Sequence, residues 1–274
     1  MAEATTVSAN RGAIGSLCAP LLCLVAALVG AGVLAPAAAM VGGAPPAAGA
    51  TGRSVVMILG SRGTACTATA IGRDLLLTAA HCVQPGAEYK LADTWSSRTP
   101  TLRDISSIER DPQFSLHKLL GHIATADVAL AKLAQALPEN IGPVPLDDMT
   151  RPIAAGDAFV VVGYGVTVRG DGRTGGTART ANLVATGTPG TLQLRLVDPR
   201  TGDRSAGLGA CTGDSGAPVF RAVGGRSLVA GVVSWSTGPK LAAGCGGLTG
   251  VTPLVRYRPW IIETARTLGS ALAP

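Results

Sequence analysis

Aromatic side chains are scarce in this 274-residue chain, at 3% of the total, and only 15% of the residues are charged. The net charge of +6 comes from scattered arginines with no basic run. A nucleic-acid surface needs clustered cations interleaved with aromatic groups, so that class is disfavoured and a solvated surface accounts for the charge. No internal repeat is visible. Histidine occurs only at 81, 117 and 122, which limits the candidates for a neutral-pH base. Of the six cysteines, Cys66, Cys82, Cys211 and Cys245 lack the paired short spacing of structural zinc sites, so no metal is expected.

The front of the chain differs from the rest. Residues 1–39 hold an Arg11-containing start, an almost wholly apolar run from Leu17 to Leu34, and then Ala-Pro-Ala-Ala-Ala39. This pattern reads as a secretory signal peptide with an Ala37-x-Ala39 cleavage site. An uncleaved membrane anchor is the rival, because the apolar run approaches bilayer-spanning length, and the small-residue ending favours cleavage. Cys18 and Cys23 would leave with the leader. The four remaining cysteines, an even number in an exported chain, suggest disulfides in any of three pairings.

From residue 54 on, short β-type runs alternate with Gly, Pro and Asp, at 55–59, 68–71, 75–77, 128–133, 159–162, 192–196 and 228–234. That rhythm predicts an all-β sandwich or barrel. Near the end, Pro259 opens a helix expected over 258–269, with Ile261, Ala265 and Leu268 on one face.

Three stretches carry chemistry. Cys211-Thr-Gly-Asp-Ser-Gly-Ala-Pro-Val-Phe220 sets the Ser215 hydroxyl between Gly213 and Gly216. Glycines at those positions admit backbone angles closed to other residues and leave peptide N–H groups unobstructed, as acyl transfer requires where negative charge develops on a carbonyl oxygen. A surface turn is the bland alternative. A serine hydroxyl needs a base, and His81 lies where Leu-Leu-Leu-Thr-Ala-Ala runs into His81-Cys82. Asp127 interrupts an alternating apolar stretch, Ala-Thr-Ala-Asp127-Val-Ala-Leu-Ala-Lys-Leu133, and a half-buried lone carboxylate needs a hydrogen-bond donor such as an imidazole N–H.

In the order His, Asp, Ser, these boxes resemble the trypsin-like, chymotrypsin-fold serine proteases; unrelated folds set the same three groups in other chain orders. The resemblance covers residues 40–274. It implies two packed six-stranded antiparallel β-barrels with a C-terminal α-helix: a first barrel over about 40–145, a second over about 146–256, and a crossover through 137–146. It implies His81, Asp127 and Ser215 as catalytic residues, an oxyanion hole at Gly213 and Ser215, and disulfides Cys66–Cys82 and Cys211–Cys245. Cleavage after Ala39 would free Met40-Val41-Gly42-Gly43, whose amine would pair with Asp214 as the family's new N-terminus does, with Met in place of Ile.

The resemblance also marks Gly209, Thr212, Ser234, Trp235, Ser236 and Gly250 as substrate-binding. Glycine at 209 removes the charge that would demand Lys or Arg, Ser236 stands where the family has glycine, and Gly250 is expected to leave room on the opposite wall. An uncharged residue of medium or large apolar size is therefore expected before the scissile bond, with a small one next. Ala217, where a second glycine is common, is expected to shift the turn slightly.

The expected partners are protein or peptide substrates, without nucleic acid, cofactor or lasting membrane association, acting on a secreted or periplasmic monomer. A catalytically silent binding protein on the same scaffold is the rival class. Gly170-x-Gly172-x-x-Gly175 matches a dinucleotide fingerprint by letters alone, without strand-to-helix context, and Arg169-Gly170-Asp171 reads as coincidence. Abundant Ala and Gly, with arginine far above lysine, fit a GC-rich bacterial source.

Overall fold

The computed structural model describes residues 40–95, 99–148, 150–187 and 192–274. The expected leader, its cleavage site, Cys18 and Cys23 lie outside the described residues. Twelve strands form two closed antiparallel barrels. The first comprises β1 (Val55–Gly60), β2 (Ala65–Gly72), β3 (Leu75–Thr78), β4 (Tyr89–Asp93), β5 (Thr101–Arg110) and β6 (Ala129–Leu133). The second comprises β7 (Ala158–Gly163), β8 (Arg179–Ala185), β9 (Leu194–Val197), β10 (Pro218–Val223), β11 (Arg226–Ser236) and β12 (Thr249–Pro253). Closure runs β1-β2-β3-β6-β5-β4 in one and β10-β11-β12-β9-β8-β7 in the other. One topology is thus used twice, although no sequence repeat betrays it.

The strands that carry the site are buried on both faces. In β3, Leu76 points into the first barrel's own core beside Ile58, Leu91 and Ala131. Its neighbours Leu75 and Leu77 face a second cluster that includes Val162, Phe220 and Val232 of the other barrel. That double burial explains the unbroken Leu-Leu-Leu run, and each such leucine contributes about 1.5–3 kcal/mol relative to exposure. A third cluster, with Phe159, Leu194, Val219 and Val251, fills the second barrel.

Three short helices complete the fold: α1 (Gly49–Arg53), α2 (Leu116–Leu120) and α3 (Arg258–Thr267). In α3, Pro259 lies in the first turn, where its missing N–H has no helical acceptor to lose, and Ile261 and Ala265 are the buried positions. Gly269, at φ +67°, ends it through Gly269 N–H to Arg266 O at 3.0 Å.

The chain ends are exchanged between the barrels. Residues 40–47, grouped by sequence with the first barrel, are bonded to the second: Val41 bridges Gly209, Pro46 bridges Arg179, and Ala47 N–H donates to Ala178 O at 2.8 Å. Met40 and Ala44 sit in that barrel's core. The C-terminal tail returns to the first barrel, where Leu272 bridges Gly72 and Ala273 N–H donates to Ile71 O at 2.8 Å. The connector changes barrels after Val144, whose N–H meets Ala70 O at 2.9 Å, while Leu146 bridges Val229. A buried ion pair anchors it there: Asp147 meets Arg221 of β10, Nη2 to Oδ1 at 2.9 Å and Nε to Oδ2 at 2.6 Å. Among the described residues no helix is long and apolar enough to cross a membrane.

Candidate active site

β3 leads through Ala79 into a 3₁₀ turn, Ala80–Val83, which carries His81. Cys82 in that turn is bridged to Cys66 of β2. Asp127, 1% exposed, precedes β6 and receives three hydrogen bonds. His81 N–H reaches Oδ1 at 2.9 Å, His81 Nδ1 lies 2.7 Å from Oδ2, and the Ser234 hydroxyl donates to Oδ2 at 2.5 Å. Those bonds replace the water that the carboxylate has lost. A carboxylate only accepts, so Nδ1 carries the proton and Nε2 is left with its lone pair.

Ser215 lies on a turn shaped by Gly213 (φ +95°) and Gly216 (φ +81°). A methyl on Gly216 would come 2.1 Å from Thr78 Oγ1 and 2.3 Å from Thr67 O, so the turn is pressed against the strand ends that lead to His81. Thr67 of β2 reaches across: its N–H donates to Ser215 O at 2.9 Å and its hydroxyl to Gly213 O at 2.8 Å. Both carbonyls of the turn are thereby held, while among the described residues the N–H groups of Gly213 and Ser215 meet no acceptor. No hydrogen bond links the Ser215 hydroxyl to His81 Nε2, a contact that often tightens only with substrate bound.

Beneath this turn, Asp214 is wholly buried. Gly165 N–H meets Oδ1 and Cys211 N–H meets Oδ2, each at 2.8 Å. Burial outweighs those two bonds and pushes its carboxyl up to about 7. Met40, fully buried at φ +53°, approaches the same place, since a methyl on Gly163 would meet both the Asp214 carboxylate and Met40 Cε. Ala217 is buried in the second core, and its N–H closes the turn onto Asp214 O at 2.9 Å. The Cys211–Cys245 bridge ties the turn to the loop before β12.

A cavity of about 410 Å³ opens beside Ser215. Ala210 to Gly213 form one wall, Trp235 and Ser236 the other, and Gly63 to Ala65 its far end. Gly250 is not part of it. A side chain there would point into the Trp235 indole, within 1.9 Å of Cε2. Thr249 and Gly209 lie behind the lining residues: Thr249 is fully buried, its hydroxyl accepts Ala210 N–H at 3.0 Å, and Oγ1 lies 3.5 Å from where a Gly209 Cβ would stand. Thr67 and Thr249 escape sequence reasoning because a threonine in a strand carries no local signal of either task.

The structure does not draw in the remaining candidates. His117 on α2 and His122 after it are exposed. Asp171 of the Arg-Gly-Asp triplet spends its carboxylate on Arg173, through Nε at 3.0 Å and Nη2 at 3.2 Å.

A two-barrel protein with a buried carboxylate, an oriented imidazole and a glycine-flanked serine between the barrels belongs, by class, with the chymotrypsin-fold proteins. The model of the Trypsin family matches residues 40–261, and the chain belongs to that family, whose members are serine endopeptidases. It is 26% identical over 228 residues to snake venom serine protease rhinocerase 4 of Bitis rhinoceros, covering 81% of this chain and 86% of that one. Kallikrein-11 of Homo sapiens is 28% identical over 214 residues, covering 73% and 72%. The solved structure of human heparin binding protein superposes with a TM-score of 0.65 at 22% identity, over 85% of this chain and all of that one, a likeness of fold.

Proposed function

We propose that the chain is an exported serine endopeptidase in which Ser215 is the nucleophile, His81 the general base and acid, and Asp127 the group that holds the imidazole. Ser215 Oγ adds to a peptide carbonyl while its proton passes to His81 Nε2. The N–H groups of Gly213 and Ser215 stabilise the oxyanion, and His81 hands the proton to the leaving amine. Water then hydrolyses the acyl-enzyme by the same steps in reverse order. One observation carries this reading: the three-bond seat of Asp127, which leaves Nε2 free to accept, beside a serine turn with its carbonyls held and its N–H groups open. It also speaks against a silent binding protein, which has no need of such a seat.

Residues 1–39 serve in this reading as the export signal, and cleavage after Ala39 is the activating cut. In this reading the new amine of Met40 pairs with Asp214 and offsets its buried charge. The venom source of one relative fits an exported enzyme. A bacterial origin and a monomeric state rest on composition and on the family pattern.

At the pocket, Gly209 brings no charge, and buried Thr249 backs it, with Oγ1 3.5 Å from where a Gly209 Cβ would stand. The residue before the scissile bond is therefore uncharged and aliphatic, of the size of Ala to Leu, in preference to Phe or Tyr. The test is digestion of a mixed peptide library by the secreted protein, with Ser215→Ala alongside and cleavage sites read by mass spectrometry. The parent should cleave after aliphatic residues, and Ser215→Ala should lose about a millionfold in turnover. Cleavage by Ser215→Ala at the parental rate overturns the mechanism. Cleavage after Lys or Arg overturns the pocket assignment, and Thr249→Ala should shift the preference toward larger side chains.

A further inference from the structure

We propose that Cys66, Cys82 and His81 form a metal site that is shut in the disulfide-bonded protein and opened by a dithiol reductant. The ligand atoms of the three side chains all lie within 4.8 Å of one another. Cys82 Sγ stands 3.8 Å from His81 Nε2. A tetrahedral zinc ion, with bonds of about 2.3 Å to sulfur and about 2.0 Å to nitrogen, places S and N about 3.5 Å apart and two sulfurs about 3.8 Å apart. Sulfurs released from a disulfide relax to non-bonded contact, close to that second spacing. The fit therefore needs Cys82 Sγ and His81 Nε2 to close by about 0.3 Å. The two sulfurs must part by about 1.8 Å from a bonded distance of about 2.0 Å, within a group whose ligand atoms span up to 4.8 Å, and rotation of the freed cysteine side chains would supply both movements.

The donor set has the right character. Two thiolates and an imidazole select zinc, cadmium or cobalt in tetrahedral geometry, with a fourth position for water. The imidazole is already arranged as a metal ligand. Its Nδ1 is held by Asp127 at 2.7 Å, which fixes the tautomer and ring plane and leaves Nε2 to coordinate, the carboxylate–histidine–metal arrangement of many zinc sites. Cys82 is fully buried and Cys66 is 4% exposed next to Ala65 of the cavity wall, so a reductant must attack the bridge at Cys66.

The chemistry balances as follows. A dithiol gives two electrons and two protons to the Cys66–Cys82 bond, becoming a cyclic disulfide and leaving two protein thiols. Binding of a divalent ion releases both thiol protons. Reoxidation by a disulfide of higher potential removes two electrons from the sulfurs, re-forms the bridge and expels the ion unchanged. While bound, the ion occupies the lone pair that the proposed mechanism uses, so the metal-bound chain is inactive; this consequence alone rests on the proposed function. A chain made under reducing conditions would be held silent until oxidation after export.

The test uses the full chain, reduced with excess dithiol, freed of reductant without oxygen, and titrated with Co²⁺. Thiolate-to-cobalt charge-transfer and tetrahedral ligand-field bands should appear in the reduced protein and not in the oxidised one. They should persist in Cys211→Ser/Cys245→Ser and vanish in Cys66→Ser/Cys82→Ser. Binding should weaken at least tenfold in His81→Gln, whose disulfides remain available for reduction, and about tenfold in Asp127→Asn. Circular dichroism on each reduced sample reports the fold, and reduction that unfolds the parent overturns the proposal. So does an absent band in the folded reduced parent, or unchanged affinity in His81→Gln. With a peptide substrate, Zn²⁺ should inhibit only the reduced parent, reversibly by chelator. A parent inactive in both redox states counts against the proposed function, while the cobalt spectra still decide the metal site.

Discussion

The two barrels share a topology but build their halves of the site by different means. In the first, His81 and Asp127 stand at the ends of strands buried on both faces, and their mutual hydrogen bonds lie within one barrel. In the second, Ser215 rides on a turn that owes its shape to two glycines, to the disulfide at Cys211, to buried Asp214, and to Thr67 reaching over from the other barrel. The basic half is thus held mainly by packing, with one bond from Ser234 of the other barrel, and the nucleophilic half by backbone shape, buried hydrogen bonds and a disulfide, with Thr67 reaching in from the first. Damage to the first should strike chemistry alone, and damage to the second should strike chemistry and stability together.

Four substitutions or conditions probe that contrast, from the largest effect down. Asp127→Asn should lower kcat by about 10⁴-fold with the fold intact, a magnitude carried over from the family's own triad, because an amide lets the imidazole take the wrong tautomer. A large loss of unfolding free energy in Asp127→Asn, read by urea titration, would erase the distinction between the halves. Asp147→Asn leaves Arg221 buried without its counter-charge and should lower unfolding free energy by about 3–5 kcal/mol in urea titrations. The surviving folded protein should keep its kcat.

Asp214 gives a pH signature. With its folded value near 7 and its unfolded value near 3.8, the native state holds a proton that the unfolded chain releases between those limits. Stability should then fall as pH rises from about 4 to 7, by up to about 4 kcal/mol. In protein cleaved to expose the Met40 amine, an ion pair at Asp214 should flatten or reverse that slope. The comparison is of urea midpoints at pH 4.5 and 7.5 for cleaved and uncleaved chains; the same slope in both would mean that the amine is elsewhere. Smallest is Thr67→Val, which deletes one bond to Gly213 O and the acceptor for Tyr164 N–H, and should remove roughly 2 kcal/mol of stability.

The sequence revealed most where chemistry demands rare residue types in a fixed setting. Ser215 between glycines, His81 after an apolar strand and Asp127 inside one were readable because each breaks the pattern around it. The strands that escaped notice lack a clean apolar run. β5, Thr-Leu-Arg-Asp-Ile-Ser-Ser-Ile-Glu-Arg, is largely exposed, and β12 contains Gly250 and ends at Pro253. The pairing of the pocket wall is hidden from the sequence for a sharper reason. A β-bulge between Val233 and Trp235 shifts the pairing with β12, so Trp235 faces Gly250 and Ser236 faces Thr249. Moving a register by one residue exchanges the inward and outward side chains, and no local sequence feature announces the bulge.

The exchanged chain ends carry a consequence for timing. The first 47 residues include the strand-like segment that the second barrel needs, and the last three include the one that covers Ile71 and Gly72 of the first. A chain still being synthesised thus holds a first barrel whose β2 end waits for Leu272 and Ala273. Its opening segment waits for a barrel not yet made. Neither half can be finished and set aside, so the cleft between them is among the last features of the molecule to exist.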